Sequence, residues 1–227
     1  MLKIKLKNMS RELAVLAALL LLIVVFSILD PIYLTTGNMV DIIKQATING
    51  ILAIGMTCVI LTGGIDLSIG CTFAIVIVAT GSMVAGGMPS LLSIILGALL
   101  GCVMGGLNGV LITKMNLQPF IATLGTMSAY RGLAYVVTGG WPVLGIPDEY
   151  RKIFTTKLMM DVPISVLVLF AIAILASVVL KKTRFGNYIY SVGGNEEAAK
   201  LSGVNVALTK IGAHAICGFC AAFAGMI

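Results

Sequence analysis

The sequence predicts an all-α membrane protein, built as a bundle of transmembrane helices. Of its 227 residues, 59% are hydrophobic and only 11% are charged, and the mean hydropathy is +1.09. Soluble domains carry about 25% charged residues, so this chain has too little polar surface to cover itself in water. The basic residues behind its net charge of +6 lie in short breaks between apolar runs. That placement is typical of membrane topology and excludes a clustered nucleic-acid-binding face.

Seven apolar stretches are long enough to be membrane spans. A helix needs about 20 apolar residues to cross the hydrocarbon core, with a usable range of about 17 to 25. The predicted spans are approximately 13–29, 42–62, 67–88, 91–112, 120–138, 163–180 and 211–227. The first is predicted to be an uncleaved span, because it lacks the small-residue cleavage site of a secretory signal.

The distribution of basic residues predicts the topology. Alternating spans place the N-terminal tail, the loop at Lys114 and the segment 181–210 on one side, with ten of the fifteen lysines and arginines. The other side carries Lys44, Arg151, Lys152 and Lys157, diluted by acidic residues that include Asp161. The positive-inside rule therefore predicts a cytoplasmic N-terminus and a cytoplasmic 181–210 segment. Since the last span reaches Ile227 without a polar exit, we expect a single membrane domain over 1–227 that is incomplete at its C-terminus.

A glycine repeat marks one face of the fourth predicted span. Its members recur every four residues: Gly97, Gly101, Gly105 and Gly109. Residues without side chains let another helix approach closely, which is how helices pack in lipid. The repeat therefore predicts a central position in a tight bundle.

The first polar interruption covers 62–70. The pair Gly63-Gly64 breaks a helix, and the freed backbone groups must bond to protein or to water in a cavity. Asp66 is an ionisable residue at predicted membrane depth, where such residues are costly and usually functional. Two interpretations remain open: Asp66 caps the next helix, or it contacts a transported solute together with Ser68.

The second polar segment covers 118–132. Pro119 suits the first turn of a helix, where its missing N–H is not needed. Polar and aromatic candidates for a solute pathway then follow along this helix: Phe120, Thr123, Thr126, Met127 and Tyr130. Their hydroxyl groups suit either a polyhydroxylated solute or contacts between helices. Arg131 beside them is interpreted as a structural or interfacial cation.

The third segment, 181–204, predicts a short cytoplasmic helix of about two turns. Asn195 suits the N-cap, acidic residues suit the first turn, and Gly203 suits a left-handed C-terminal position. A helix this short is marginal in water on its own, which favours insertion into a partner's groove over a solvated linker. The residues of this candidate docking helix are Gly194, Asn195, Glu196, Glu197, Ala198, Ala199, Leu201 and Gly203.

The sequence lacks the common motifs for binding nucleotides and metal ions. It holds no Walker A pattern, so energy from ATP has to come from another subunit. Cys217 and Cys220 form an isolated CxxC motif. The single histidine, His214, has no further potential metal ligands at a suitable spacing in its span. We interpret these residues as packing groups and expect no metal and no cofactor on this chain.

Three segments together carry a family resemblance: ILTGGIDLSIG, PFIATLGTMSAYRGL and RFGNYIYSVGGNEEAAKLSGVNV. In this order, over residues 38–227, they resemble permease subunits of bacterial ABC sugar importers of the ribose, xylose, galactose and autoinducer-2 type. The ribose permeases look most similar. Such permeases have about ten spans of about 20 residues each, so the seven here indicate a truncated permease domain.

The resemblance implies a set of partners in the bacterial cytoplasmic (inner) membrane. A second permease copy or a paired permease, a cytoplasmic ATPase subunit that uses ATP and Mg²⁺, and an extracytoplasmic sugar-binding protein complete the importer. It also implies that a loop over 181–208 holds the coupling helix, at 193–205, that docks on the ATPase.

Three alternatives stay open from the sequence. A branched-chain amino-acid permease has related motifs. An ion-coupled carrier or channel needs acidic residues within its spans, and Asp66 is the one plausible candidate. A structural or signalling membrane protein explains the 181–210 segment but not the polar interruptions.

Overall fold

A computed structural model describes the backbone of residues 2–156 and 163–227 and the side chains of 13–156 and 163–227. By its internal contacts the chain divides into two compact units, Met1–Ile43 and Lys44–Ile227. Lys157 and Asp161, which entered the predicted topology, lie outside the described residues.

The described residues form ten helices. They are α1 Leu2–Leu29, α2 Thr36–Leu61, α3 Ile69–Ala85, α4 Ser90–Lys114, α5 Pro119–Thr138, α6 Asp148–Thr155, α7 Ile164–Lys182, α8 Arg184–Gly194, α9 Glu196–Leu201 and α10 Val206–Met226.

Each predicted span corresponds to one helix, namely α1 to α5, α7 and α10. Among the described residues, four helices are long and apolar enough to cross a membrane: α2, α4, α7 and α10. The apolar part of α1 and helix α3 are shorter, and α5 is less apolar because it carries the polar face predicted above. The predicted fold class, an all-α polytopic membrane protein, is confirmed.

The first unit contains the end of α1 and the turn after it. Helix α1 ends at Leu29, and the Asp30 carboxylate then accepts a hydrogen bond of 2.8 Å from the backbone N–H of Ile32. The side-chain amide of Asn38 donates to the carbonyl of Tyr33 at 2.7 Å. These local bonds fix the polar turn that the Asp30-Pro31 pair begins.

In the second unit, α4 and α10 pack in direct backbone contact. A Cβ atom added at Gly105 would overlap the carbonyl oxygen of His214, and one added at Gly101 would overlap that of Gly218. A Cβ at Gly109 would lie 2.5 Å from the Cα of Ile211. Three of the four repeated glycines therefore form the seam between these helices.

Gly97, the remaining glycine of the repeat, lies in the N-terminal half of α4. A Cβ there would overlap the Thr80 side chain of α3 and lie 3.0 Å from the sulfur of Met226. Helix α3 thus joins the α4–α10 pair and completes the centre of the bundle.

Helix α6 is an element that the sequence interpretation missed. Its Tyr150 and Phe154 are buried one turn apart, with ring centroids 6.4 Å apart, while Arg151 and Asp148 are exposed. This i, i+4 spacing makes α6 amphipathic, with one face packed on the bundle.

Candidate functional site

The break between α2 and α3 is closed by local backbone bonds. Helix α2 ends at Leu61, after which the N–H of Gly63 bonds to Ile60 O at 2.9 Å and that of Gly64 bonds to Val59 O at 3.2 Å. Gly63 has a φ of +78°, a left-handed conformation that glycine adopts without a Cβ clash. The backbone N–H groups of Gly63 and Gly64 are therefore satisfied by the carbonyls of the last turn of α2.

Asp66 is the centre of a buried polar cluster. It is 3% exposed, and its Oδ1 accepts hydrogen bonds from the Ser68 backbone N–H at 2.9 Å and from the Ser68 hydroxyl at 2.7 Å. The Asn108 amide of α4 lies 3.2 Å from Asp66 Oδ2 and 2.7 Å from Ser68 Oγ. The carboxylate is thus held by donors from two separate parts of the chain.

The predicted cap at Asp66 is not formed, because Ser68 is the N-cap residue of α3 and no side chain caps that helix. Asp66 instead bonds to the residue before the helix. The N–H that it binds belongs to Ser68, which stands directly before α3, so the bond fixes the entry of the chain into that helix. Direct contact of Asp66 with a solute stays a prediction.

Asn108 was missed by the sequence interpretation. It is the one amide side chain in the predicted fourth span, next to the glycine repeat. A strongly polar residue amid apolar and small residues of a span is a signal for a buried hydrogen bond.

The contact between α4 and α10 leaves two buried polar atoms unpaired. Among the described residues, neither Asn108 Oδ1 nor His214 Nε2 has a hydrogen-bond partner, while His214 Nδ1 lies 2.9 Å from Lys210 O. A buried unsatisfied group costs about 1–3 kcal/mol. Close backbone packing, and not side-chain hydrogen bonding, therefore holds this seam together.

The polar face of α5 packs inward and uses its hydroxyl groups on backbone carbonyls. Thr123 donates to Pro119 O at 2.7 Å, Thr126 to Thr123 O at 3.2 Å, and Tyr130 to Met104 O of α4 at 3.0 Å. In this conformation these donors are not directed at a solute.

The structure separates the predicted pathway residues into different surroundings. Met127 and Tyr130 pack with a core cluster that contains Cys71 and Met104, whereas the Phe120 side chain is exposed. Asp66 and Ser68 lie together in the buried cluster around Asn108. Within the part of the chain that the structure describes, none of the three clefts described below contains the whole set, since Met127 lines the first and none of the other six residues lines any of them.

An open cleft of about 870 Å³ lies between α3, α5 and the segment after α5. Of the predicted pathway residues, Met127 lines it, together with Arg131. Tyr135 and Trp141 also line it and were missed from the sequence. Aromatic residues at the end of a span, next to Gly139-Gly140, are the signal that identifies this position, because membrane proteins enrich Tyr and Trp there.

A second structural feature of interest is the pair of helices α8 and α9. The sequence interpretation predicted one short helix here, and its capping is confirmed: Asn195 Oδ1 accepts a bond of 2.9 Å from Ala198 N–H, and Gly203 has a φ of +85°. Helix α8 was not predicted. Thr183 caps it by accepting the Gly186 N–H at 3.1 Å.

Helix α9 presents an apolar side chain to its surroundings. Leu201 is 90% exposed, whereas Ala199 is buried against the bundle. Glu197 is exposed beside them, and Glu196 forms an ion pair with Lys210 of α10 at 2.6 Å. One face of α9 is thus attached to the bundle and the other is open.

Helices α8 and α9 lie at the same end of the second unit as the break before α3. A Cβ added at Gly193 of α8 would overlap the carbonyl oxygen of Leu61, the last residue of α2. One cleft of about 390 Å³ is lined by Thr62, Gly64, Pro119 and Glu196. The loop after α4 and the segment 195–210 therefore share this end, as the predicted topology requires.

Comparison with known proteins identifies the chain's relatives. The family whose model matches residues 38–227 is described as branched-chain amino acid transport system / permease component. The chain belongs to this permease family. No solved structure matches the permease.

Curated relatives of the permease include importers of several sugars. The permease is 39% identical over 210 residues to the ribose import permease protein of Bacillus subtilis, covering 92% of this chain and 65% of that protein. It is 33% identical over 211 residues to the D-allose transport system permease protein of Escherichia coli, covering 92% and 64%. It is 38% identical over 222 residues to the galactofuranose transporter permease protein of Escherichia coli, covering 93% and 64%.

The permease thus spans about two thirds of the length of these relatives. Its apolar helices and its family make it a multi-pass membrane protein.

Proposed function

We propose that this chain is the transmembrane subunit of an ATP-driven importer that carries a monosaccharide across the bacterial cytoplasmic membrane. The observation that carries the proposal is the exposed Leu201 on the short capped helix α9. The described residues leave this leucine uncovered, and at a cytoplasmic surface, as proposed, lipid would not cover it either. Burial of such a side chain favours association with a partner protein, and the ATPase subunit is the partner we propose.

The names of the relatives support a sugar as the transported solute. The permeases named above serve ribose, allose and galactofuranose, and ribose is the sugar we propose first. The family description itself names branched-chain amino acids, which makes leucine the control substrate.

An ion-coupled carrier has less support. It requires a carboxylate free to bind a cation, but both Asp66 oxygens lie within hydrogen-bond distance of protein donors. Asp66 in this conformation already has its partners.

A second permease copy suits the open side of α5. Positions Gly125 and Gly132 have no atom within 4 Å of an added Cβ, and Ser128 beside them is exposed. Small and polar residues on a membrane helix favour contact with another helix over contact with lipid. Ser128→Cys is expected to form a disulfide between two copies when membranes are treated with a thiol oxidant, which accepts the two electrons released.

The proposed mechanism is alternating access. ATP and Mg²⁺ bind to the ATPase subunits, whose closure moves α9 and switches the side to which the bundle opens. This chain supplies the passage and binds no cofactor, while an extracytoplasmic binding protein supplies sugar selectivity. The N-terminus lies in the cytoplasm in this proposal.

The test is reconstitution of the full-length permease with its ATPase and its binding protein in proteoliposomes. We expect uptake of labelled ribose that depends on ATP and on all three components. Uptake of leucine instead of every monosaccharide tested supports the amino-acid alternative, and uptake without the ATPase contradicts the ABC assignment.

A further inference from the structure

An ion pair joins the short helix α9 to α10. Lys210 Nζ lies 2.6 Å from Glu196 Oε2, and the side chains are 17% and 53% exposed. A pair this close to solvent contributes little to folding stability, because water screens both charges. Its main effect is therefore to fix the position of α9 relative to α10.

Open space lies on both sides of this ion pair. Glu196 and Lys210 line one cleft of about 390 Å³, which extends to Thr62, and a second of about 530 Å³, which extends to Asn116. Within α9, Ala199 is the buried residue. Helix α9 thus has few packing contacts to the bundle, and the ion pair bridges the gap between the two helices.

The helix on the other side of the ion pair is tightly packed. One turn beyond Lys210, the backbone of His214 lies directly against Gly105 of α4. Since packed interiors do not deform continuously, a displacement of α10 has to carry α4 with it. Helix α4 in turn carries Asn108, which bonds to Asp66 at the entry to α3.

We propose that Lys210 and Glu196 are positioning residues that pass the movement of α9 to α10 and α4, and through Asn108 to the buried Asp66 cluster. This inference rests on the proposed function, since α9 is moved only if the ATPase docks on it. The ion pair is then the contact through which the loosely packed α9 displaces the tightly packed α10.

The test is a charge swap in the full-length permease, reconstituted with its ATPase and binding protein. Lys210→Glu and Glu196→Lys are each expected to lower the sugar taken up per ATP hydrolysed about fivefold or more, the scale of a typical coupling between two sites. The double variant restores an ion pair of opposite polarity. We expect it to return to within about twofold of the wild type, because the two substitutions share one contact.

Lys181→Glu is the matched control, because Lys181 is exposed at the end of α7 and the substitution changes the net charge equally. An equal loss in this control shows a general charge effect and overturns the inference. If Glu196 acts only by touching the ATPase, Lys210→Glu resembles the wild type and the double variant is not rescued, which also overturns it.

Sugar uptake by the wild-type complex separates a test of the proposed function from a test of the ion pair. A wild-type complex that imports no monosaccharide refutes the proposed function. Wild-type uptake without rescue by the double variant refutes the role of the ion pair alone.

Discussion

Asn108 on α4 donates its side-chain amide to the carboxylate of Asp66, which stands 42 positions earlier in the chain. The bond joins the break after α2 to the interior of the helix that packs on α10. Asn108→Ala removes a donor from a buried carboxylate, which typically costs about 1–3 kcal/mol. It also removes the unpaired Oδ1, but the cavity left at this fully buried position adds a further cost, so the net effect is destabilising. We expect a lower thermal unfolding temperature of the full-length permease in detergent.

The matched control is Asn187→Ala, because Asn187 is exposed on α8. Equal unfolding temperatures for the two variants would show that the Asn108 bond contributes nothing to stability.

Asp66→Asn separates the two interpretations of this residue. The variant keeps the shape of the side chain but removes its charge and turns an amide N–H₂ toward a donor, either Ser68 or Asn108. If Asp66 mainly fixes the entry to α3, unfolding temperature and sugar uptake fall together. If Asp66 instead contacts the solute, the KM for uptake rises while the unfolding temperature stays at the wild-type value.

Gly105→Ala tests the seam between α4 and α10. The added methyl group overlaps the carbonyl oxygen of His214, and overpacking of this kind costs about 1–3 kcal/mol. We expect less folded permease in membranes and a lower unfolding temperature.

The neighbouring Gly106→Ala is the control for this seam. A Cβ at Gly106 meets its nearest atom, Cβ of Ala215, at 4.0 Å, so the methyl group has room. Alanine also has the higher helix propensity, by about 1 kcal/mol. Gly106→Ala is therefore expected to be neutral or stabilising, and similar losses in both variants would contradict the assignment of the seam.

Glu197→Lys tests the open side of α9. Glu197 is exposed in the first turn of α9, where a lysine is also disfavoured by the positive end of the helix. We expect sugar uptake and the stimulation of ATP hydrolysis by the loaded binding protein to fall together. Membrane insertion, measured by the amount of permease in washed membranes, should be unchanged, and unaltered uptake would count against docking at α9.

The membrane helices followed from the sequence because a span needs a long apolar run, a signal carried by many residues at once. The caps of α9 also followed, since Asn195 and Gly203 act on groups within a few residues of themselves. Helix α6 was missed because its short run mixes charges with Tyr150 and Phe154, and only the packed face shows that pattern to be helical.

The candidate site was harder to predict than the fold. The partnership of Asp66 with Asn108 depends on how two helices distant in sequence are placed, which no local pattern encodes. The sequence predicted that hydroxyl groups line one face of α5. The same spacing allows these groups to donate either to a solute or to backbone carbonyls. The structure shows Thr123 and Tyr130 bonded to carbonyls in this conformation.

The close approach of Gly193 to the Leu61 carbonyl has a consequence for the proposed importer, because it places α8 directly against the end of α2. The end of α8 touches the end of α2 directly, and the polar break begins at the next residue. Under the proposed mechanism, a displacement of α8 would therefore reach the polar break directly, without an intervening helix.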